Sequence, residues 1–173
     1  MRPHRLPTVL ITIASFSALL TGCKPDNRTV AAPDALALRR AVNESMPIAG
    51  ACETTFVPPT LPPPPVIRQV DQGTCHLSHL GRTALYSVQD IDLATGTQTS
   101  IELTYTAANG DILRAVNTGT NVPNGPGVRF SATTTFVGGT GRFANATGQA
   151  RIEGTASFVT NTASYTVDGW IAY

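Results

Sequence analysis

The residues of this chain best suited to chemistry by type and spacing are Cys75-His76-Leu77-Ser78-His79. A thiolate and two imidazoles are ligands for zinc and other transition metals. The segment lacks the second cysteine of a haem-attachment CxxCH motif, and the only other histidine is His4. Serine and histidine could also form a nucleophilic pair, but the sequence has no G-x-S-x-G turn to expose the serine. We therefore predict no metal, no cofactor and no catalytic residue from this segment.

Charge and composition exclude further classes. The 12 Lys and Arg nearly balance the 11 Asp and Glu, so the chain is not a broadly basic nucleic-acid binder. Apolar residues make up 42% of the chain, enough for a core, which excludes wholesale disorder. A length of 173 residues predicts a single domain.

The N-terminus has the pattern of an export signal. Arg2 and Arg5 precede a run from residue 6 to residue 20 without a charged side chain, too short for a membrane span. The following Leu20-Thr21-Gly22-Cys23 resembles the bacterial lipoprotein signal, in which the cysteine is acylated and the peptide before it is removed. The resemblance implies a signal peptide over 1–22 and lipidation, including palmitate, at Cys23.

The same resemblance implies a place in the cell. Lys24 follows the cysteine where, in that family, an aspartate favours retention at the inner membrane. We therefore expect a protein of the bacterial cell envelope, lipid-anchored at the outer membrane, with the membrane as its partner through the N-terminal lipid. Removal of 1–22 leaves 10 basic and 11 acidic side chains, so the mature chain has no electrostatic attraction to nucleic acid.

Two cysteines remain once Cys23 is assigned to lipid. In an exported protein an even pair predicts a disulfide, here between Cys52 and Cys75. Such a bridge would join the proline-rich segment to the first part of the folded domain.

Proline divides the mature chain in two. Nine of the 13 prolines lie between Pro25 and Pro65, and only Pro123 and Pro126 follow. Because proline cannot donate to a sheet ladder, we predict a lipid anchor and Pro-rich linker over 23–65 and a β domain over 66–173.

The β domain has regularly spaced turn residues between alternating segments. Strands are predicted at about 83–92, 98–107, 112–119, 128–137, 149–159 and 164–173, with shorter ones near 66–71 and 74–80. Such a series of antiparallel strands leaves exposed edges unless the sheet closes. We therefore predict a small antiparallel up-and-down β-barrel of about eight strands, without long helices.

Alternation along the strands indicates which side chains point inward. The predicted interior is apolar and aromatic, with few charges. Asp90 and Arg114 are the charged side chains that share a face with apolar neighbours, although solvent at the barrel mouth is the preferred position for both. The candidate pocket residues are Asp90, Tyr105, Arg114, Phe130, Phe136 and Tyr165. Ile101 is also placed on the inner face, with Leu103.

The segment Gly138–Gly148 (GGTGRFANATG) resembles the glycine-rich connection of dirigent proteins and of bacterial domains with the allene oxide cyclase-like, calycin-type barrel. The resemblance covers about 66–173 and implies an eight-stranded barrel. Phosphate binding is disfavoured because the segment lacks the Lys-Ser/Thr of a P-loop. We expect Phe143 to close one barrel end and Arg142 to hydrogen-bond turn carbonyls, with positive φ or close packing at Gly138, Gly139, Gly141 and Gly148.

Three functions follow, in order of preference. The first is a non-catalytic binding or structural module on a lipid anchor, and the second is a carrier of a small apolar ligand inside the barrel. The third is an enzyme of the cyclase or isomerase type found in that barrel group. An interior filled by aromatic side chains would exclude the second and third, whereas an interior cavity would favour them.

Overall fold

The structure is a computed structural model that describes residues 45–57 and 65–173. The strands are β1 (Met46–Phe56), β2 (Val66–Leu77), β3 (Gly81–Asp92), β4 (Thr97–Ala107), β5 (Ile112–Asn124), β6 (Gly127–Gly139), β7 (Thr147–Ser157) and β8 (Thr162–Ala172). Each strand is antiparallel to the next, and β8 pairs with β1 to close the barrel. The predicted up-and-down barrel is confirmed. Within the described ranges, no helix has the length and apolar character needed to cross a membrane.

The barrel begins earlier in the chain than predicted. β1 lies within the residues that we assigned to the linker, and it pairs with both β2 and β8. The boundary at residue 66 is therefore wrong, and the barrel starts at Met46. Pro47 obscured the alternation of Ile48, Cys52 and Phe56, which are all buried. The signal peptide and Cys23 lie outside the described residues.

β2 is one continuous strand where two short ones were predicted. Gly73 lies within it, opposite Thr54 of β1. A Cβ atom on Gly73 would lie 2.0 Å from the carbonyl oxygen of Glu53, so only glycine allows the two strands to approach this closely. Gly73 therefore serves strand packing and does not mark a turn.

The predicted disulfide is confirmed, but it joins different elements from those expected. Cys52 and Cys75 are directly opposite each other in β1 and β2, with their Cα atoms 4.0 Å apart. Both side chains point into the barrel and are buried. The bridge therefore ties two neighbouring strands of the barrel together and does not tie a linker to it.

The two ends of the barrel differ. The closed end comprises the connections 78–80, 108–111 and 140–146, and the open end comprises the connections 93–96, 125–126 and 158–161. Both Met46 and Tyr173 lie at the closed end, because the number of strands is even. Phe143, in a single-turn 3-10 helix at Gly141–Phe143, is fully buried there and contacts the Tyr173 ring edge-on at 5.0 Å between centroids.

Arg142 has a different role from the predicted one. Its backbone N–H donates to Asp111 Oδ2 at 3.3 Å, and its guanidinium lies over the Phe143 ring at 4.7 Å. Arg142 therefore helps to hold Phe143 at the closed end through contacts with the Asp111 carboxylate and the Phe143 ring. The predicted hydrogen bonds to turn carbonyls are not the contacts that it makes. The glycines of the segment have the expected geometry, with positive φ at Gly138, Gly141, and Gly148 and close packing at Gly139.

Candidate functional site

The half of the barrel towards the open end encloses a cavity of about 540 Å³. Volumes of this size are typical of small-molecule sites. Much of the wall is apolar and comes from residues of five strands: Ile67, Leu85, Ile91, Leu103, Phe130, Ile152 and Ala156. The interior is thus not filled by aromatic side chains, and the cavity that would favour ligand binding is present.

A carboxylate lies in this wall. Asp71 of β2 is only 6% exposed, and its side chain faces the cavity. Gln69 Nε2 donates to Asp71 Oδ1, and Gln89 Nε2 donates to Asp71 Oδ2, each at 2.8 Å. Burial raises the pKa of Asp71 to about 6, although the two amide hydrogen bonds act in the opposite direction. Near pH 6 this carboxyl therefore exchanges between its neutral and its ionised form.

Two tyrosines belong to the same wall. Tyr105 of β4 is fully buried, and its hydroxyl has no hydrogen-bond partner among the residues that the structure describes. Burial raises the pKa of Tyr105 above its usual value. Burial, followed by the charges that Tyr105 and Asp71 would carry, raises the pKa of Tyr165 well above its usual value. Both tyrosines are therefore neutral hydroxyls at any physiological pH.

Asn117 of β5 belongs to the same wall. Its backbone N–H donates to Ser100 Oγ at 2.6 Å, which holds the residue in place. Its side-chain Oδ1 is buried and has no hydrogen-bond partner within 45–57 and 65–173. A buried acceptor without a donor costs about 1–3 kcal/mol.

The predicted pocket residues separate into three groups. The structure places Tyr105, Phe130 and Tyr165 in the cavity wall, with the Phe130 and Tyr165 rings edge-on at 5.7 Å. Phe136 is buried in the core outside the cavity wall. Asp90 and Arg114 do not line the cavity either.

Asp90 is on the outer surface of β3. Arg68 Nε donates to Asp90 Oδ1 at 2.9 Å, and this hydrogen bond lowers the pKa of Asp90. Gln89, the residue before Asp90 in β3, lines the cavity, and successive residues of a strand face opposite sides. The predicted interior position of Asp90 is therefore wrong.

Arg114 is exposed because β5 has the opposite phase to the predicted one: Leu113 and Ala115 point inward. Both neighbouring strand pairs are irregular here, with register shifts on either side of β5. A similar irregularity between β3 and β4 leaves Ile101 52% exposed, and its predicted inward position is wrong. Because these segments have apolar residues on both faces, the alternation did not show which side chains point inward.

The sequence interpretation missed Asp71, the one strongly buried acid of the cavity. A signal was present, because Asp71 lies four residues before Cys75, and residues an even number apart in a strand share a face. A disulfide-bonded Cys75 that points inward therefore predicts an inward Asp71. Because two short strands were predicted in place of β2, Asp71 and Cys75 were not recognised as residues on the same face of one strand.

No group of three His, Cys, Asp or Glu side chains within the described part of the chain is placed to hold a metal ion. The cavity offers a carboxyl with a pKa of about 6, two neutral tyrosines and several hydroxyl and amide side chains in a wall that is otherwise apolar. Comparisons of the chain with protein-family models, with curated proteins and with solved structures find no match.

Proposed function

We propose that this protein is a lipid-anchored protein of the bacterial cell envelope whose barrel binds a small, largely apolar ligand. The observation that carries the binding function is the cavity of about 540 Å³ at the open end. Protein cores ordinarily pack without large voids, so a cavity of this size within the barrel favours a binding role. The polar side chains in the wall, among them Asp71 and Gln98, favour a ligand with at least one polar group.

Binding is tested with Nile red, an uncharged dye that fluoresces in apolar surroundings. The full-length chain carrying Cys23→Ser, which avoids acylation, should bind one dye molecule. Ala156→Phe adds a ring to the cavity wall and should weaken binding about tenfold or more, because the ring takes up ligand volume. The measurement is a fluorescence titration.

The matched control is Thr155→Phe, one residue away on the outer face of β7, where the side chain is exposed. This variant should bind the dye as the parent chain does. No saturable binding to the parent chain, or equal binding to Ala156→Phe, would show that the barrel interior is not the site.

Lipid anchoring is supported by the sequence Leu20-Thr21-Gly22-Cys23 after an apolar run. Triacylation of such a cysteine provides more than one chain, which stable membrane attachment requires. Cells that express the protein and grow on a labelled fatty acid should yield labelled wild-type protein and unlabelled Cys23→Ser. Label retained by Cys23→Ser would exclude this residue as the acylation site.

Asp71 favours a second candidate function, an enzyme of the isomerase type. A carboxyl with a pKa of about 6 in a largely apolar site is suited to move a proton to or from a bound molecule near neutral pH. Mass spectrometry of the small molecule released from protein purified from its own envelope distinguishes the two: a mixture of two isomers supports the enzyme, and a single species supports the carrier.

A further inference from the structure

From the groups in the cavity wall we infer that the ligand carries a protonated amine, bound by the Asp71 carboxylate, on an apolar body. This inference rests on the proposed binding function and specifies the chemical class of the ligand. It follows from two independent properties of the wall: its charge and its aromatic rings.

The charge of the wall has one sign. Among the described residues, the cavity lining includes the acids Asp71 and Asp92 and no Lys, Arg or His. The basic side chain nearest in sequence, Arg68, is on the outer face and is bonded to Asp90. Ionised Asp71 therefore has no counter-ion among the residues that the structure describes, and a buried charge without one is unfavourable. A cationic ligand removes this penalty, whereas an anionic ligand increases it.

The Asp71 carboxylate also has free acceptor capacity. Each of its oxygens accepts one amide N–H, which leaves lone pairs free. A primary ammonium group brings three donors that can use these lone pairs and a charge that neutralises the carboxylate, which an alcohol, a ketone or an ester does not.

The aromatic side chains suit the same ligand. Tyr105, Phe130 and Tyr165 contribute rings to the wall that holds Asp71. The face of an aromatic ring attracts a cation, and its edges and faces also pack against an apolar body. The same cavity can therefore bind both the ammonium group and the apolar body of an amphiphilic amine.

Binding of such a ligand should depend on pH, since the carboxyl must be ionised. Phe56 and Thr54 lie beside Asp71 on β1, and Ser87 and Gln89 lie beside it on β3; none of these titrates. The other titratable groups of the cavity are Tyr105, Tyr165 and Asp92, the last of which accepts the backbone N–H of Ala94 and of Thr95 at the rim. The raised pKa keeps both tyrosines neutral between pH 5 and pH 8.

The direction of the effect follows from linkage. An ammonium group beside Asp71 favours the ionised carboxyl and lowers its pKa in the complex. The affinity for the amine is therefore at its maximum above about pH 6, the pKa of Asp71 in the free protein. Below that pH the affinity falls about tenfold per pH unit. At the alkaline side, affinity falls when the amine itself loses its proton, near pH 10 for an alkylamine.

The experiment compares two ligands with the same apolar body, octylamine and 1-octanol, as competitors of Nile red on the Cys23→Ser chain. At about pH 7.5 octylamine should displace the dye at a concentration about tenfold or more below the concentration of octanol that is needed. The reason is that the hydrogen bond between an ammonium group and a carboxylate is stronger than a hydrogen bond with a neutral partner. At about pH 5 the two should be nearly equal, since most of Asp71 is then protonated.

Asp71→Asn should abolish the preference for octylamine at every pH. Asp90→Asn, which removes an acid of the outer face, should leave the preference unchanged. The wild-type pH profile tests the inference even if Asp71→Asn fails to fold.

The outcomes are distinct. Dye binding with equal affinity for octylamine and octanol at about pH 7.5 would overturn the amine inference and retain the binding function. A preference for octylamine that persists in Asp71→Asn would also overturn it, because another group would then bind the cation. Failure of the dye to bind at all would overturn the proposed function itself.

Discussion

Phe143→Ala should lower the free energy of unfolding by about 3–5 kcal/mol. The Phe143 ring is fully buried at the closed end, where it packs against Tyr173 and under the Arg142 guanidinium. Its removal leaves a void that the surrounding strands, fixed by their hydrogen bonds, can fill only in part. Urea unfolding followed by circular dichroism measures the effect as a lower midpoint at an unchanged slope.

The matched control is Phe158→Ala at the open end. Phe158 is 53% exposed and has one aromatic neighbour, Phe56, at 6.2 Å. The loss there should be about 1 kcal/mol or less, because most of that ring already contacts solvent. Equal losses for the two phenylalanines would contradict the role of Phe143 as the plug of the closed end.

The second large effect concerns the disulfide. The double variant Cys52→Ala/Cys75→Ala should be about 3.5 kcal/mol less stable than the wild type, as the chain-entropy relation gives for a closed loop of this length. The bridge lies between two strands that are already paired, so the folded state should persist without it. The loss arises because the unfolded chain regains the freedom of the loop.

Two measurements check this account. Urea unfolding of the double variant should show the lower stability, and Nile red should bind it as tightly as it binds the parent chain when urea is absent. Cys23→Ser, which removes the third cysteine at a position before the first barrel strand in the sequence, should unfold as the wild type does. A loss below about 1 kcal/mol in the double variant would show that the bridge constrains little of the unfolded ensemble.

The sequence predicts the barrel well because its signals are local. The alternation of Ala132, Thr134 and Phe136 with exposed neighbours in β6 reports the inner face directly, and those three are buried. β1 was missed because a strand is recognised by composition as well as by alternation. With Pro47 inside it and further prolines on both sides, the composition indicated a linker.

The candidate site was only partly predictable for a different reason. Tyr105, Phe130 and Tyr165 lie in regular stretches, where alternation places them correctly in the wall. Arg114 lies beside register shifts, which depend on pairing between strands distant in sequence and cannot be seen within one strand. The size of the cavity depends on how eight strands close, a property of the whole barrel.

The even number of strands has a practical consequence for experiments on this protein. Met46 and Tyr173 both lie at the end that Phe143 closes, opposite the cavity mouth. A fusion partner added after Tyr173, or a segment joined before Met46, therefore meets the barrel on the side away from the cavity mouth. The protein can be immobilised on a sensor surface through either connection while ligands reach the mouth from solution.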